Sequence, residues 1–188
     1  MPSTEIKKTS MEELGRISPK EFKKSDKAPI CLVLDNIRSL QNVGSIFRTA
    51  DAFRITKIYL CGITGQPPNR EIEKTALGAT ESIDFEYFKT TLEAINALKE
   101  NNYKIISIEQ AHNSTSLENF KIQAKTKYAF VFGNEVFGVE ETVVQESDEV
   151  VEIPQFGTKH SLNVSISAGI VIWDYYSKNN LNLFSSPS

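Results

Sequence analysis

Three polar segments of the sequence follow apolar runs, and each carries side chains that could do chemistry. They span residues 35–48, 132–138 and 153–165. Each preceding run has the length and β-branched content of a buried strand. In parallel sheets, ligands bind beyond the carboxyl ends of the strands. The sequence therefore predicts that these three segments share one site at one edge of a sheet.

The first segment places an amide and a guanidinium on one helix. Asn42 and Arg48 stand six residues apart, so they would lie within two turns of the same helix. A cation at this position could stabilise negative charge as it develops on a reacting oxygen. The same pair could equally be a helix cap at Asn42 and an ordinary surface arginine. Gly44 would let another backbone or a ligand approach this helix closely.

The second segment places an acidic residue between two glycines, directly after an apolar run. Gly133 and Gly138 have the spacing of a phosphate loop, but Val139 and Glu140 stand where such a loop requires Lys and Ser or Thr. This excludes a nucleoside triphosphate site. Glycines at a strand end still favour a backbone that approaches a ligand. Glu135 is either part of that site or a carboxylate that starts a helix.

The third segment joins a proline, a glycine and several small polar residues to a long final helix. Either Ser161 or Asn163 could cap that helix. From Asn163 to Lys178 the pattern is apolar around most of the helix circumference. Such a helix is either enclosed within the domain or packed on a partner.

Apolar runs and helical patterns alternate along the rest of the chain. Strands are predicted at 30–34, 58–61, 83–88, 103–108, 128–132 and 150–153, and helices at 19–26, 43–53, 70–77, 92–98 and 163–178. This alternation predicts one α/β domain, a parallel sheet with helices on both faces. We place that domain at 29–188, after a basic arm at 1–28 whose short helix is capped by Ser18 and ended by Pro29.

Composition is that of a globular protein, with 188 residues, 40% hydrophobic and 24% charged. No apolar run approaches the ~20 residues of a membrane helix. Residues 1–8 lack the apolar core of a secretory signal, so we expect a cytosolic protein. Cys31 and Cys61 are expected to be reduced core thiols. His112 and His160 have no cysteine partners at zinc spacing, so no metal site is expected.

The net charge is −3, which alone argues against a nucleic-acid partner. However, residues 1–74 carry an excess of Lys and Arg, whereas residues 75–188 carry an excess of Asp and Glu. A phosphate-binding face and an ordinary solvated surface explain this distribution about equally well. The cations that would form an RNA-binding face are Lys20, Lys23, Lys24, Lys27, Arg38 and Arg70.

Taken in order, the three segments resemble the SpoU/TrmH family of RNA ribose methyltransferases. Motif 1 corresponds to Asn42 followed by Arg48, motif 2 to the Gly-x-Glu turn that starts at Gly133, and motif 3 to the run 161–165. Order, spacing and strand-end placement all agree. The similarity covers about residues 30–178.

The resemblance implies a fold and a site that periodicity alone does not. It implies a C-terminal trefoil knot that binds S-adenosylmethionine and a homodimer formed through that knot. Gly133, Ile153 and Leu162 would contact the cofactor. The implied catalytic group comprises Asn42, Arg48, Glu135, Ser161 and Asn163. Because residues 1–28 are too few for the extra RNA-binding domain of many relatives, the dimer surface and the arm would select the RNA.

The implied reaction is methyl transfer to a ribose 2′-hydroxyl of tRNA or rRNA. Arg48 would stabilise the developing alkoxide, while Asn42 and Ser161 would fix Arg48 and the ribose. A guanidinium is a poor base, so Arg48, a substrate phosphate and water all remain open as the proton acceptor.

Three other functions compete with this interpretation. A knotted RNA-binding module would not transfer methyl groups, and loss of Asn42 or Arg48 would have indicated it; both are present. A dinucleotide-dependent oxidoreductase would need Gly-x-Gly-x-x-Gly after the first strand, which the chain lacks. A knotted base methyltransferase is disfavoured by Ser161 and Asn163.

Overall fold

Strands and helices alternate along the chain in a computed structural model that describes residues 6–10, 13–15, 17–159 and 161–179. The elements are α1 (Pro19–Lys24), β1 (Ala28–Asp35), α2 (Leu40–Ala52), β2 (Ile55–Cys61), α3 (Arg70–Ala76), α4 (Ala79–Ser82), β3 (Phe85–Phe88), α5 (Thr91–Glu100), β4 (Tyr103–Ile108), β5 (Thr115–Ser116), β6 (Lys127–Phe132), α6 (Glu141–Glu146), β7 (Glu149–Glu152) and α7 (Val164–Asn179). His160 lies outside the described residues.

The seven strands form one parallel sheet in the order β3-β2-β1-β6-β4-β7-β5. Leu34 at the end of β1 pairs with Phe132 at the end of β6. The segments that follow these two strands therefore begin side by side, at the same edge of the sheet. This is the edge at which a parallel sheet binds ligands.

Helices cover both faces of the sheet, as the alternating pattern predicts. Ile30, Leu32 and Leu34 of β1 belong to an apolar core that contains residues of α1, α2, α3, α4 and α7. Cys31 and Val33 belong to a second core with residues of α5 and α6. Because strand side chains alternate between faces, β1 supplies both cores at once.

Most predicted elements are confirmed, with four differences. The short helices α4 and α6 and the strand β5 were not predicted. Pro29 does not end α1, because the helix ends at Lys24 and is capped by Ser25, whose N–H donates to carbonyls of the last turn. Pro29 instead lies inside β1, where the pairing with β2 shifts register between Ala28 and Cys31. A proline, which lacks an N–H, fits a strand at such an irregularity. The trefoil knot stays a prediction.

Gly44 lets α2 lie directly on the backbone of α3. A Cβ atom at this position would lie 2.1 Å from the Thr75 Oγ1 atom and 2.2 Å from the Ile72 carbonyl oxygen. No side chain fits so short a gap. The close approach expected at Gly44 is therefore made by a helix, and it fixes where α2 lies.

The two cysteines are buried and free, as predicted. Burial raises the pKa of the Cys31 thiol to about 11 and that of the Cys61 thiol to about 12. Neither is a nucleophile at neutral pH. Within the described ranges, no helix is long and apolar enough to cross a membrane. No group of three or more His, Cys, Asp or Glu in that part of the chain is placed to hold a metal ion.

Candidate active site

A line of side-chain hydrogen bonds joins the three polar segments. The Nδ2 atom of Asn163 donates to Oδ1 of Asn42 at 3.0 Å. The Nδ2 atom of Asn42 in turn donates to Oε1 of Glu135 at 3.0 Å. Three of the five predicted catalytic residues are thus in direct contact, although they are distant in sequence.

Glu135 is the acceptor at the end of this line. Its Oε2 atom accepts the backbone N–H of Arg38 at 2.9 Å, and its Oε1 atom accepts that of Ser39 at 3.0 Å. Partial burial opposes the charge on Glu135, but these N–H donors and the Asn42 amide hold its pKa below the usual value. Glu135 is therefore ionised at neutral pH and binds the start of α2. It acts as a helix-start carboxylate for α2, although it lies in the turn after β6 and not in a helix.

Asn42 does not cap α2, contrary to one of the predictions. The cap is Ser39, whose Oγ atom accepts the Asn42 backbone N–H at 3.2 Å. Because Ser39 caps the helix, the Asn42 side chain is available to bridge Glu135 and Asn163. Within one chain, neither Asn42 nor Ser161 is hydrogen-bonded to the Arg48 side chain, so the expectation that they hold Arg48 stays a prediction. Arg48 is exposed on α2, and none of the described residues forms a hydrogen bond or ion pair with its side chain.

Asn163 has two roles, one with each end of its amide. Its Oδ1 atom accepts the Ser165 backbone N–H at 2.9 Å and the Ser165 hydroxyl at 2.6 Å. This is the hydrogen bonding of a helix cap, and α7 begins at the next residue. Of the two predicted caps, Asn163 is therefore the one that is used. Its Nδ2 atom remains available for Asn42.

A tight turn over residues 134–138 orients Glu135. Asn134 and Gly138 exchange two backbone hydrogen bonds of 2.9 Å, and Oδ1 of Asn134 accepts the N–H groups of Val136 and Phe137. A Cβ atom on Gly133 would lie 2.0 Å from the backbone carbon of Gly138. Only glycine fits there, so the turn needs it. The role of Asn134 was not predicted, although an asparagine between a strand and a glycine is a turn signal.

Two carboxylates that were not predicted as site residues hold the far side of this turn. Asp35 is only 1% exposed, and its Oδ2 atom accepts the Glu140 backbone N–H at 2.7 Å. The Oε2 atom of Glu109 accepts the Val139 backbone N–H at 2.8 Å. Asp35 ends β1 and Glu109 directly follows β4. A carboxylate at the end of an apolar strand was the available signal.

A cavity of about 540 Å³ opens between the turn and the segment that precedes α7. Its volume lies in the range of small-molecule sites. The predicted site residues that line it are Gly133, Ile153, Leu162, Glu135, Ser161 and Asn163. Asn42 and Arg48 do not line this cavity. All three residues predicted to contact the cofactor therefore line the same cavity as three of the five predicted catalytic residues.

The predicted RNA-binding cations differ in how free they are. Lys20, Lys23 and Lys24 are exposed on α1. Arg38, which precedes α2, and Arg70, which begins α3, are exposed too. Lys27 is half-buried, and its ammonium binds the Phe22 carbonyl and lies 3.6 Å from the centre of the Phe22 ring. Burial lowers the pKa of Lys27. This lysine is thus engaged within the fold.

The sequence profile of the SpoU rRNA Methylase family matches residues 29–173. The chain belongs to this family. An uncharacterized tRNA/rRNA methyltransferase of Borreliella burgdorferi is 35% identical over 162 residues, which cover 86% of this chain and 68% of the relative. The 23S rRNA (guanosine-2′-O-)-methyltransferase RlmB of Neisseria meningitidis serogroup B is 31% identical over 144 residues, or 77% of this chain and 56% of the relative.

The fold is also that of solved SpoU-type structures. The AdoMet-bound rRNA methyltransferase from Sinorhizobium meliloti matches with a TM-score of 0.74 and 26% identity, over 86% of this chain and 61% of that one. The chain therefore spans roughly half to two thirds of the length of these SpoU-family relatives. The family assignment confirms the resemblance carried by the three motifs.

Proposed function

We propose that this SpoU-family chain transfers a methyl group from S-adenosylmethionine to a ribose 2′-hydroxyl of a structured tRNA or rRNA. The observation that carries the proposal is the line from Asn163 through Asn42 to Glu135, at the wall of a 540 Å³ cavity. Two relatives support the chemistry, since one methylates guanosine 2′-oxygens of 23S rRNA and another binds AdoMet.

The residues that line the cavity fit a cofactor with apolar and polar parts. Ile153 and the 39%-exposed Leu162 offer apolar contact, and the backbone of Gly133 is open to close approach. These three residues would hold S-adenosylmethionine. When bound, it supplies a methyl group on a positively charged sulfur, which needs no further activation.

In this proposal Glu135 positions the site and does not accept a proton. Its two carboxylate oxygens already receive three hydrogen bonds, and its lowered pKa makes it a weak base. Asn42 and Asn163 fix the first turn of α2 relative to the cavity. Arg48, an exposed cation on the same helix, stabilises negative charge on the 2′-oxygen as its proton leaves.

We further infer that the chain forms a homodimer through the outer face of α7. Ile166 is 55% exposed and Trp173 is 64% exposed on this helix. Exposed apolar side chains grouped on one helix mark an interaction surface. The Trp173 ring lies 6.3 Å from the Phe53 ring at the end of α2, so the apolar face continues onto the motif 1 helix. The free cations of α1 would hold part of the RNA. Because the proposed substrate is a cellular tRNA or rRNA, we also infer a cytosolic enzyme.

Methyl transfer to RNA from a strain that lacks the gene tests the proposal. The purified chain is incubated with methyl-labelled S-adenosylmethionine and the tRNA and rRNA of that strain. We expect label in 2′-O-methylnucleosides, which mass spectrometry identifies after nuclease digestion. RNA from the parent strain should take up no label, because its site is already methylated. Label in a base would contradict ribose transfer. RNA binding with no transfer would favour the RNA-binding module.

A further inference from the structure

A second cavity lies on the other side of the motif 2 turn. Its volume is about 470 Å³, and Asn134, Phe137 and Gly138 line both this cavity and the first one. The turn over residues 134–138 is therefore a wall that the two cavities share. The Asp35 carboxylate, which also lines the second cavity, already accepts hydrogen bonds from Glu140, Thr91 and Asn36.

Two apolar side chains at this cavity remain in contact with solvent. Phe137 is 84% exposed and Ile63 is 67% exposed. Both stand on backbone that is held in place, since the Phe137 N–H donates to Oδ1 of Asn134 at 3.2 Å and the Ile63 N–H donates to Oδ1 of Asn36 at 3.1 Å. An exposed apolar group on a fixed backbone loses little entropy when a ligand covers it.

We propose that the second cavity seats an unpaired nucleobase of the RNA substrate, stacked on the Phe137 ring and packed against Ile63. This base seat rests on the proposed function. It implies that the substrate is a single-stranded or looped RNA segment. Aromatic side chains bind unstacked bases through their faces. Bases in a duplex have both faces covered by their neighbours, so a duplex would not fit this seat.

Two charged groups at the cavity suit the polar edge of a nucleotide. The guanidinium of Arg38 and the carboxylate of Glu140 are both exposed and both line the cavity. Arg38 can donate to a phosphate or to a base acceptor, and Glu140 can accept from a base amino group. The shared wall would place the seated base directly beside the cofactor cavity. A base that belongs to the same RNA strand as the reacting ribose meets that geometry.

A fluorescent hexaribonucleotide of five uridines and one 2-aminopurine tests the seat. Stacking on an aromatic ring lowers 2-aminopurine emission, so the wild-type chain should quench it on binding. The Ile63 side chain lines only the second cavity. Ile63→Ala should therefore weaken binding of the oligonucleotide about tenfold, which is within the range of free energy that one stacked base contributes. Phe137→Leu should abolish quenching, and Phe137→Trp should retain it. Leu77→Ala, at a residue that is 66% exposed and lines neither cavity, should change nothing.

Four results would overturn the seat. Two concern quenching: none by the wild-type chain, or quenching unchanged in Phe137→Leu. The other two are competition by a fully paired duplex as strong as by the single strand, and dissociation of a dimer by Ile63→Ala with the oligonucleotide still bound. The last would make the cavity a contact between copies. Calorimetry with S-adenosylhomocysteine and methyl transfer to bulk RNA are run in parallel. Transfer without quenching defeats the seat alone, and quenching without transfer supports the seat while the proposed function fails.

Discussion

The side chain of Asn163 donates to the side chain of Asn42 across 121 positions of the chain, at 3.0 Å. The same Asn163 side chain caps the last helix through its other end. Asn42 passes the connection on to Glu135. Two amides and a carboxylate therefore connect the start of α7, the first turn of α2 and the turn after β6.

Removing the central amide should loosen this connection. In Asn42→Ala two hydrogen bonds are lost, each with a net contribution of about 0.5–1.5 kcal/mol, so we expect the free energy of unfolding to fall by about 1–2 kcal/mol. Methyl transfer should fall more than affinity for S-adenosylhomocysteine, because Asn42 does not line the cavity. Urea unfolding, calorimetry and single-turnover transfer measure the three effects. Asn96→Ala, an exposed asparagine on α5, is the control; equal behaviour of the two variants contradicts the role.

The lowered pKa of Glu135 predicts a pH dependence of stability. The folded pKa lies below the usual value of 4.5, so the ionised form stabilises the fold fully above that value. This contribution is lost as pH falls through the lower, folded pKa. Arg38 and Ser39 donate to different oxygens of the Glu135 carboxylate, and Glu135→Gln replaces one of these acceptors by an amide NH₂ group, which cannot accept from the N–H that faces it.

The wild-type advantage over Glu135→Gln in urea unfolding should therefore be larger at pH 7 than at pH 3. Glu81→Gln, an exposed carboxylate of α4, controls for the loss of one charge. An advantage that stays constant between the two pH values would show that the carboxylate charge contributes nothing.

Local patterns predicted the elements of the fold but not the contacts between them. The apolar run at Ile30–Leu34 predicts a buried strand because every side chain in it meets a core, on one face or the other. Asp35 shows the limit, since it binds an N–H that lies 105 positions away. Nothing in the neighbouring sequence encodes such a partner, and the same holds for Glu109.

Pattern and resemblance also contributed differently to the site. From residue types alone, Asn42 and Asn163 were both candidate helix caps; one of them is a cap and the other is not. The resemblance selected them as a group, and in the structure their side chains are hydrogen-bonded to each other. The exposed ring of Phe137 was not predicted as a site residue, because an aromatic residue in a sequence is more often part of a core.

The exposed face of α7 predicts a dimer that a single charge should break. Trp173→Glu places a carboxylate in a patch that is otherwise apolar, and burying it unpaired is costly. We expect sedimentation velocity at micromolar concentration to show a dimer for the wild-type chain and a monomer for Trp173→Glu. Leu77→Glu, also at an exposed leucine, should remain a dimer. A wild-type monomer would refute the prediction outright.

The free lysines of α1 should add affinity for RNA that does not depend on sequence. Replacing Lys20, Lys23 and Lys24 by Ala should reduce the slope of log affinity against log salt by about 2, at roughly 0.7 for each phosphate contact to a single strand. Filter binding to total tRNA over a salt series measures the slope. The control variant replaces three exposed lysines elsewhere, Lys89, Lys121 and Lys125. Equal slopes for both triple variants would mean that α1 is an ordinary solvated surface.

Arg48 should act in the transition state and not in folding. Its side chain is exposed, and no described residue pairs with it, so Arg48→Ala should change the free energy of unfolding by less than about 0.5 kcal/mol. Single-turnover methyl transfer should fall by about 10²–10³-fold while cofactor affinity changes only a few-fold. Arg48→Lys should recover little, because an ammonium lacks the planar pair of donors. Near-normal transfer by Arg48→Ala at saturating RNA would reduce Arg48 to a phosphate contact.

Because Arg48 does not line the cavity of its own chain, we expect it to act on the cavity of the other subunit in the proposed dimer. Heterodimers of Arg48→Ala with Leu162→Arg, which fills the cofactor cavity, separate the two arrangements. If Arg48 acts across the interface, one of the two sites keeps both an intact cavity and an arginine, and the heterodimer should retain about half of the wild-type activity. If Arg48 acts within its own subunit, each site carries one defect and activity should be close to zero. Two affinity tags isolate the heterodimer, and each variant homodimer serves as the inactive reference.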